Sequence, residues 1–355
     1  MKKIIKACII ILLLGGLCFL GYYKYQEYQY HQSPEYKLLQ KGYTEKQVQI
    51  ILDKGTEKQI ETIIDQDYNS QIPQLMNHKD FKRNRFQRYL NYQGPKSIDD
   101  LILLVNQDID QTSIPYSDDL LNFVKTPYFI KYNLSRYLDY KNKYTDLSYP
   151  EIIKRVNSGI DVDFYTNIKK TDTSKGNLVL INKYDQLDAS YTPNDLQAID
   201  KEKHYLIKEA ALHFSQMMNE AHKVGYDYKI NSAYRSYQDQ EEIYQEYKNN
   251  YGYTYAENYA ARPGHSEHQS GLAVDIVAQD SKGRSFDQTE EYAWLQEHAH
   301  EYGFVMRYTK ENEYITGYHY EPWHYRYVGV EAAQKMKQEG LTFEEYYHYY
   351  IEKGQ

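Results

Sequence analysis

Cysteine is almost missing from this chain of 355 residues: only Cys8 and Cys18 occur, both within the first 23 positions. The remainder therefore holds together without disulfides, and thiol catalysis is excluded there. Any nucleophile or metal ligand must be oxygen or nitrogen. Positive charge is in short supply as well. The formal net charge is −8, and the body is more acidic still because Lys2, Lys3 and Lys6 stand unopposed at the N-terminus. That argues against nucleic acid or anionic lipid as the main partner. Tryptophan (2) and phenylalanine (10) are scarce, whereas tyrosine reaches 43. Biased composition accounts for such a count without any function, although a flat ring with a polar tip also suits carbohydrate stacking. A regular βαβ rhythm and a glycine-rich phosphate loop are both lacking.

Long apolar runs are equally rare, and one stands out. Ala7 to Gly21 follows three lysines and precedes Tyr22 and Tyr23. A positive flank on the N-terminal side keeps that end in the cytoplasm and exports the rest. The run is short for a membrane span, and no A-x-A pattern follows it, so residues 1–23 are read as an uncleaved transmembrane anchor rather than a cleaved signal. Leu17 before Cys18 is too large for the usual lipidation site.

Behind a polar spacer at 24–34 lies a helical segment, 35–170, built on duplications. Lys41-Gly-Tyr-Thr-Glu-Lys-Gln recurs as Lys54-Gly-Thr-Glu-Lys-Gln, each copy offering a threonine N-cap and then apolar residues at helical spacing. Arg88-Tyr-Leu-Asn-Tyr92 recurs as Arg136-Tyr-Leu-Asp-Tyr140, and Val105-Asn106 as Val156-Asn157. Two copies are too few for a solenoid; the segment reads as a structural spacer or a wall-binding module. From residue 171 the character changes. Leu178 to Asn182, Lys229 to Tyr234, Leu272 to Val277, Phe304 to Tyr308 and Trp323 to Val328 read as strands. Leu206 to Ala221, Gln238 to Tyr247 and Glu290 to Tyr302 read as helices. Interleaved in this way they predict an α+β domain, 171–355, with a small, mostly antiparallel sheet and flanking helices.

Two clusters carry candidate chemistry. Ala261-Arg-Pro-Gly-His-Ser-Glu-His-Gln-Ser-Gly-Leu-Ala-Val-Asp275 gathers imidazole, hydroxyl and carboxylate groups around residues that break regular structure. Glu321-Pro-Trp-His324 adds a carboxylate and a histidine three positions apart, which share a site only if Pro322 or a bulge turns the chain. A catalytic zinc needs three nitrogen or oxygen ligands, an open position and a nearby base. His268, Asp275 and His324 could be those ligands and Glu321 the base, with His265 and His268 a competing pair by spacing.

Ser266-x-His268-x-x-Gly271-x-Ala273-x-Asp275 followed by Glu321-x-x-His324 resembles the zinc D-alanyl-D-alanine carboxypeptidases of the VanY type. Their fold is shared with D-Ala-D-Ala dipeptidases, L,D-carboxypeptidases, some phage endolysins and the hedgehog signalling domain. The likeness extends through Leu180-Ile-Asn-Lys-Tyr, Tyr191-Thr-Pro-Asn-Asp-Leu and Ser232-Ala-Tyr-Arg-Ser and covers about half the chain. It implies one Zn2+ held by His268, Asp275 and His324, Glu321 as the base that activates water, and Arg235 stabilising the oxyanion. It further implies that Ser266 and Gln240 line the substrate site; Trp323 is either a subsite or a packing residue. The implied substrate is the peptidoglycan stem peptide, cut at the bacterial cell surface on the outer side of the membrane. L,D-carboxypeptidase or endopeptidase action on stems is the alternative within enzymes. A non-catalytic wall-binding protein is the alternative outside them.

Overall fold

A computed structural model of the chain describes residues 2–201 and 204–352, with side chains from Leu14 onward. Two compact units follow one another, Met1–Lys125 and Thr126–Gln355. The first is helical: α1 (Lys2–Gln32), α2 (Pro34–Gln40), α3 (Glu45–Lys54), α4 (Glu57–Asp65), α5 (Gln71–Met76), α6 (Phe86–Asn91), α7 (Ile98–Asn106) and α8 (Asp118–Lys125). The duplicated threonines do what their spacing predicts. Thr44 with Gln47 and Thr56 with Gln59 each close a capping box, satisfying the free N–H groups at the starts of α3 and α4. Leu38, Val48, Ile51, Ile63, Ile72 and Met76 pack between these helices as the core of the unit.

The anchor expected over residues 1–23 gains no support. Among the described residues no helix is long and apolar enough to cross a membrane. The side chains of residues 1–13 lie outside the described ones, and α1 owes much of its 31-residue length to the polar stretch after Tyr23.

The longer duplication is one local structure made twice. In the first copy Tyr89 donates to Asn106 Oδ1 (2.7 Å), Asn106 Nδ2 donates to the carbonyl of Asp80 (2.9 Å), and the N–H of Lys82 donates to the Tyr89 hydroxyl (3.3 Å). The second copy repeats each bond. Tyr137 donates to Asn157, Asn157 Nδ2 to the carbonyl of Tyr128 (3.1 Å), and the N–H of Ile130 to Tyr137 (3.2 Å). The recurring Tyr and Asn therefore tie the loop before each helix pair to both of its helices.

The second copy, α9 (Leu134–Lys143) and α10 (Tyr149–Asn157), belongs to the second compact unit, which begins well before residue 171. Tyr128 stacks on Tyr349 at 3.9 Å, Lys154 pairs with Glu345 at 3.4 Å, and Tyr314 donates to Glu151 at 3.3 Å.

Short pairs come first in this unit: β1 (Lys169–Lys170) runs parallel to β2 (Asp185–Gln186), and β3 (Leu196–Ala198) antiparallel to β4 (Tyr205–Ile207). The main sheet has four antiparallel strands in the order β5 (Tyr228–Ser232), β6 (Ala273–Ala278), β8 (His324–Tyr327), β7 (Phe304–Met306). Helices α11 (Lys208–Lys223), α12 (Tyr237–Tyr251), α13 (Tyr253–Tyr259), α14 (Glu290–His298), α15 (Glu313–Thr316), α16 (Val330–Glu339) and α17 (Phe343–Tyr346) complete it. Alternation along the strands decides the two faces. Val274, Ile276, Phe304, Tyr325 and Tyr327 join Phe214 and Met217 of α11 and Leu295 of α14 in the core. Asp275, His324 and Arg326 occupy the other face.

Leu178–Asn182, expected as a strand, pairs with no neighbour. Val179, Leu180 and Ile181 are buried, but side chains take its carbonyls. Arg326 donates to Asn177 and Val179, Thr171 to Leu180 and His265 to Asn182. Apolar, β-branched sequence records burial, and burial here comes without a ladder.

Candidate metal centre

Asp275 and His324 sit directly opposite one another on β6 and β8, so their side chains leave the sheet together. His268 arrives from a short 3-10 turn, Glu267–Ser270, whose exit is Gly271 at φ +69°. A Cβ at Gly271 would lie 2.9 Å from Leu196 and 3.1 Å from Ile207, so both the backbone and the space require glycine there. Glu321 is turned in just before β8, where the N–H of His324 donates to its carbonyl at 3.1 Å. This is the bend that the three-residue spacing requires.

Two imidazole nitrogens and a carboxylate oxygen, from His268, Asp275 and His324, all lie within 4.8 Å of one another. His268 Nε2 is 3.3 Å from one Asp275 oxygen and His324 Nδ1 is 2.9 Å from the other. Both rings have their tautomer fixed from behind. His268 Nδ1 faces the carbonyl of Ala233 at 2.7 Å, which can only accept, so Nε2 keeps its lone pair. His324 Nε2 faces Glu267 at 3.1 Å, which leaves Nδ1 for the site. Two nitrogens and one oxygen with oriented lone pairs, beside an open cavity, fit a zinc ion that keeps one position for water.

The three donors are electrostatically coupled to one another. Burial would raise the Asp275 carboxyl, yet His268 and His324 hold it far below the usual carboxylate range. Burial likewise opposes charge on His324, but its bonds to Asp275 and Glu267 push it up to about 10, so a metal taken at Nδ1 must displace that proton. Glu321 is pushed up to about 7, chiefly by burial, with His324 opposing and Asp275 adding. A carboxyl near neutrality can take a proton and give it back. Its Oε2 stands 3.9 Å from His324 Nδ1.

Around these groups is a cavity of about 330 Å³, lined among others by Arg235, Gln240, Ser266, Glu321 and Trp323. Arg235 is held by Gln240 Oε1 (2.7 Å) and Ser232 Oγ (2.9 Å). Gln240 is only 2% exposed; its Oε1 serves Arg235 and its Nε2 donates to the carbonyl of Ala261 (2.8 Å). Ser266 is buried at the wall, and Trp323, 38% exposed, stands at the rim rather than in the core. His265 is outside the donor group; its Nδ1 bonds the carbonyl of Asn182 at 2.7 Å.

Sequence reasoning passed over Glu267. This carboxylate is 1% exposed and accepts from His324, from Arg307 Nε (2.9 Å) and from Arg326 Nη1 (2.9 Å). Arg307 in turn forks onto Glu344 of α17, one arm at 2.8 Å. Its place between Ser266 and His268 was the one available signal.

Residues 203–330 match the family profile described as D-alanyl-D-alanine carboxypeptidase, VanY. The chain is similar to the protein YodJ of Bacillus subtilis (strain 168), 38% identical over 53% of this chain and 75% of that one. It is also similar to a D-alanyl-D-alanine carboxypeptidase of Enterococcus faecalis (strain ATCC 700802 / V583), 37% identical over 49% of this chain and 67% of the relative. Among solved structures, a vancomycin-resistance D,D-pentapeptidase VanY in complex with Zn(II) is 36% identical. It covers 48% of this chain and 98% of its own, with a TM-score of 0.44.

Proposed function

The chain belongs to the VanY family of D-alanyl-D-alanine carboxypeptidases, and from that premise we propose that it removes the terminal D-alanine from peptidoglycan stem peptides using one zinc ion. The observation that carries this reading is the convergence of His268, Asp275 and His324 on one point of a cavity that also holds Glu321 and Arg235. Zinc bound there would supply a water of lowered pKa and a Lewis acid for the scissile carbonyl. Glu321 takes the proton of the attacking water and later returns it to the leaving amine. Arg235, clamped by Gln240 and Ser232, offers its remaining N–H groups to the oxygen that becomes negative in the tetrahedral state. Ser266 and Trp323 border the space that the terminal residues would fill. The lysines ahead of Ala7–Gly21 support export of the catalytic unit to the outer side of the membrane.

Mass spectrometry of muropeptides incubated with the full chain tests the reading. Pentapeptide should become tetrapeptide, a chelator should stop the reaction and zinc should restore it. Conversion of tetrapeptide to tripeptide would move the assignment to L,D-carboxypeptidase, and no mass change with zinc bound would end it. Glu321→Gln should keep its metal and lose turnover by at least about a hundredfold; near-normal turnover with metal retained would remove Glu321 from its role.

A further inference from the structure

Four of the chain's many tyrosines form a row beside the metal centre. Tyr247, Tyr251, Tyr255 and Tyr259 recur at every fourth position through α12 and α13, which meet at Gly252. Within a helix a four-residue step puts side chains above one another, and α12 and α13 each carry one such pair. The ring centroids of Tyr251 and Tyr255 are 4.7 Å apart and those of Tyr255 and Tyr259 4.4 Å, and His319 closes the column at 4.8 Å from Tyr259. Core packing does not explain it, since Tyr251 is 63% exposed, Tyr259 48% and Tyr255 38%. The column starts at the site: Tyr247 and Tyr259 line the same cavity as His268, Asp275 and His324.

We propose that the Tyr251–Tyr255–Tyr259 column is a carbohydrate subsite, which holds the glycan to which the stem peptide is attached while the peptide's end lies in the cavity. The proposal rests on the carboxypeptidase reading for the identity of the polymer. A chain end that enters the cavity leaves the rest of its polymer to exit over the lip, and this lip is aromatic. An amino sugar presents apolar C–H faces together with hydroxyl and acetamido groups. A row of tyrosines answers both, with ring carbon for the first and phenol hydroxyls for the second. Rings already in contact with one another, as Tyr255 and Tyr259 are, have less rotamer freedom to lose on binding than isolated ones. Sugar is uncharged at these groups, so the net charge of −8, which repels other ring-stacking polymers such as nucleic acid, does not oppose it.

Two measurements on the full chain decide the matter, with Tyr251→Ser/Tyr255→Ser as the test variant and Tyr251→Phe/Tyr255→Phe as its ring-preserving control. The first is calorimetric titration with a peptide-free oligomer of β-1,4-linked N-acetylglucosamine. Saturable binding by the wild type, weakened about tenfold or more in the serine variant and largely kept in the phenylalanine one, is expected. Absence of wild-type binding, or equal binding by the serine variant, overturns the proposal. So does concentration-dependent dimerisation that disappears in the serine variant without any glycan response. The second compares kcat/KM on a free pentapeptide and on the same peptide carried by its disaccharide. The serine variant should lose the advantage of the disaccharide and keep its rate on the free peptide; an unchanged ratio counts against the subsite. Failure of the wild type on both substrates would fall on the carboxypeptidase reading, because glycan binding is read without turnover.

Discussion

Glu267, buried at the wall of the cavity, accepts from an imidazole and two guanidinium groups. Burial alone would raise its carboxyl, and Arg307, Arg326 and His324 hold it well below the usual range instead. Its substitution should be felt twice. Glu267→Gln should weaken zinc binding by about 10–100-fold in competition with a chromophoric chelator, because His324 loses the partner that orients it. The same change should destabilise the metal-free protein by about 3–5 kcal/mol in urea titration, since two buried guanidinium groups lose their shared counter-charge. Zinc affinity unchanged in Glu267→Gln would mean that His324 is oriented by Asp275 alone. The three groups that converge were named in the sequence through the family resemblance, since spacing alone left His265 and His268 as a competing pair. Glu267 was not. Its partners Arg307, His324 and Arg326 are 40 to 59 positions away in sequence, and nothing local separates a buried glutamate from a solvated one.

Among the elements, regular ones were the most legible. Periodicity and capping located α3, α4, α11 and α12 to within a few residues, and alternation located β5, β6 and β8. Leu178–Asn182 misled for a stated reason: its composition reports burial, whereas its carbonyls are taken by distant side chains. The neighbouring pair β1–β2 carries a cost that pH should expose. Asp185, on β2, has its carboxyl pushed up to about 6, mainly by burial, opposed by Lys169 and His348 and aided by Glu352. The folded state therefore binds more protons than the unfolded chain between about pH 4 and 6. Through this group stability falls as pH rises across that window, and the burden is complete by pH 7. Asp185→Asn should raise unfolding stability at pH 7 by on the order of 2 kcal/mol, with the gain gone near pH 4. A gain that is constant with pH would show that the carboxylate is not held against its charge.

At the scale of the molecule, the unit that contains the site runs from Thr126, so it includes the second copy of the helical duplication. A chain starting at 126 should melt cooperatively close to the transition of that unit in the full protein. One starting at 171 loses the Tyr128–Tyr349 stack and the Lys154–Glu345 and Glu151–Tyr314 contacts. It should melt lower by roughly 10 °C, the equivalent of about 3 kcal/mol in a domain of this size; equal melting would return those helices to the spacer. Composition showed the helical and α+β halves but not this junction, since both copies have the same helical pattern and only contacts tell which body each joins. The link from Glu344 through Arg307 and Glu267 to His324 also has a consequence in time. Synthesis runs from the N-terminus, so His268, Asp275 and His324 all emerge before the residue that completes the scaffold behind them. A chain still being made, or one clipped ahead of α17, would carry every donor and yet hold metal loosely. Tight zinc binding would thus depend on a polypeptide finished as far as Glu344.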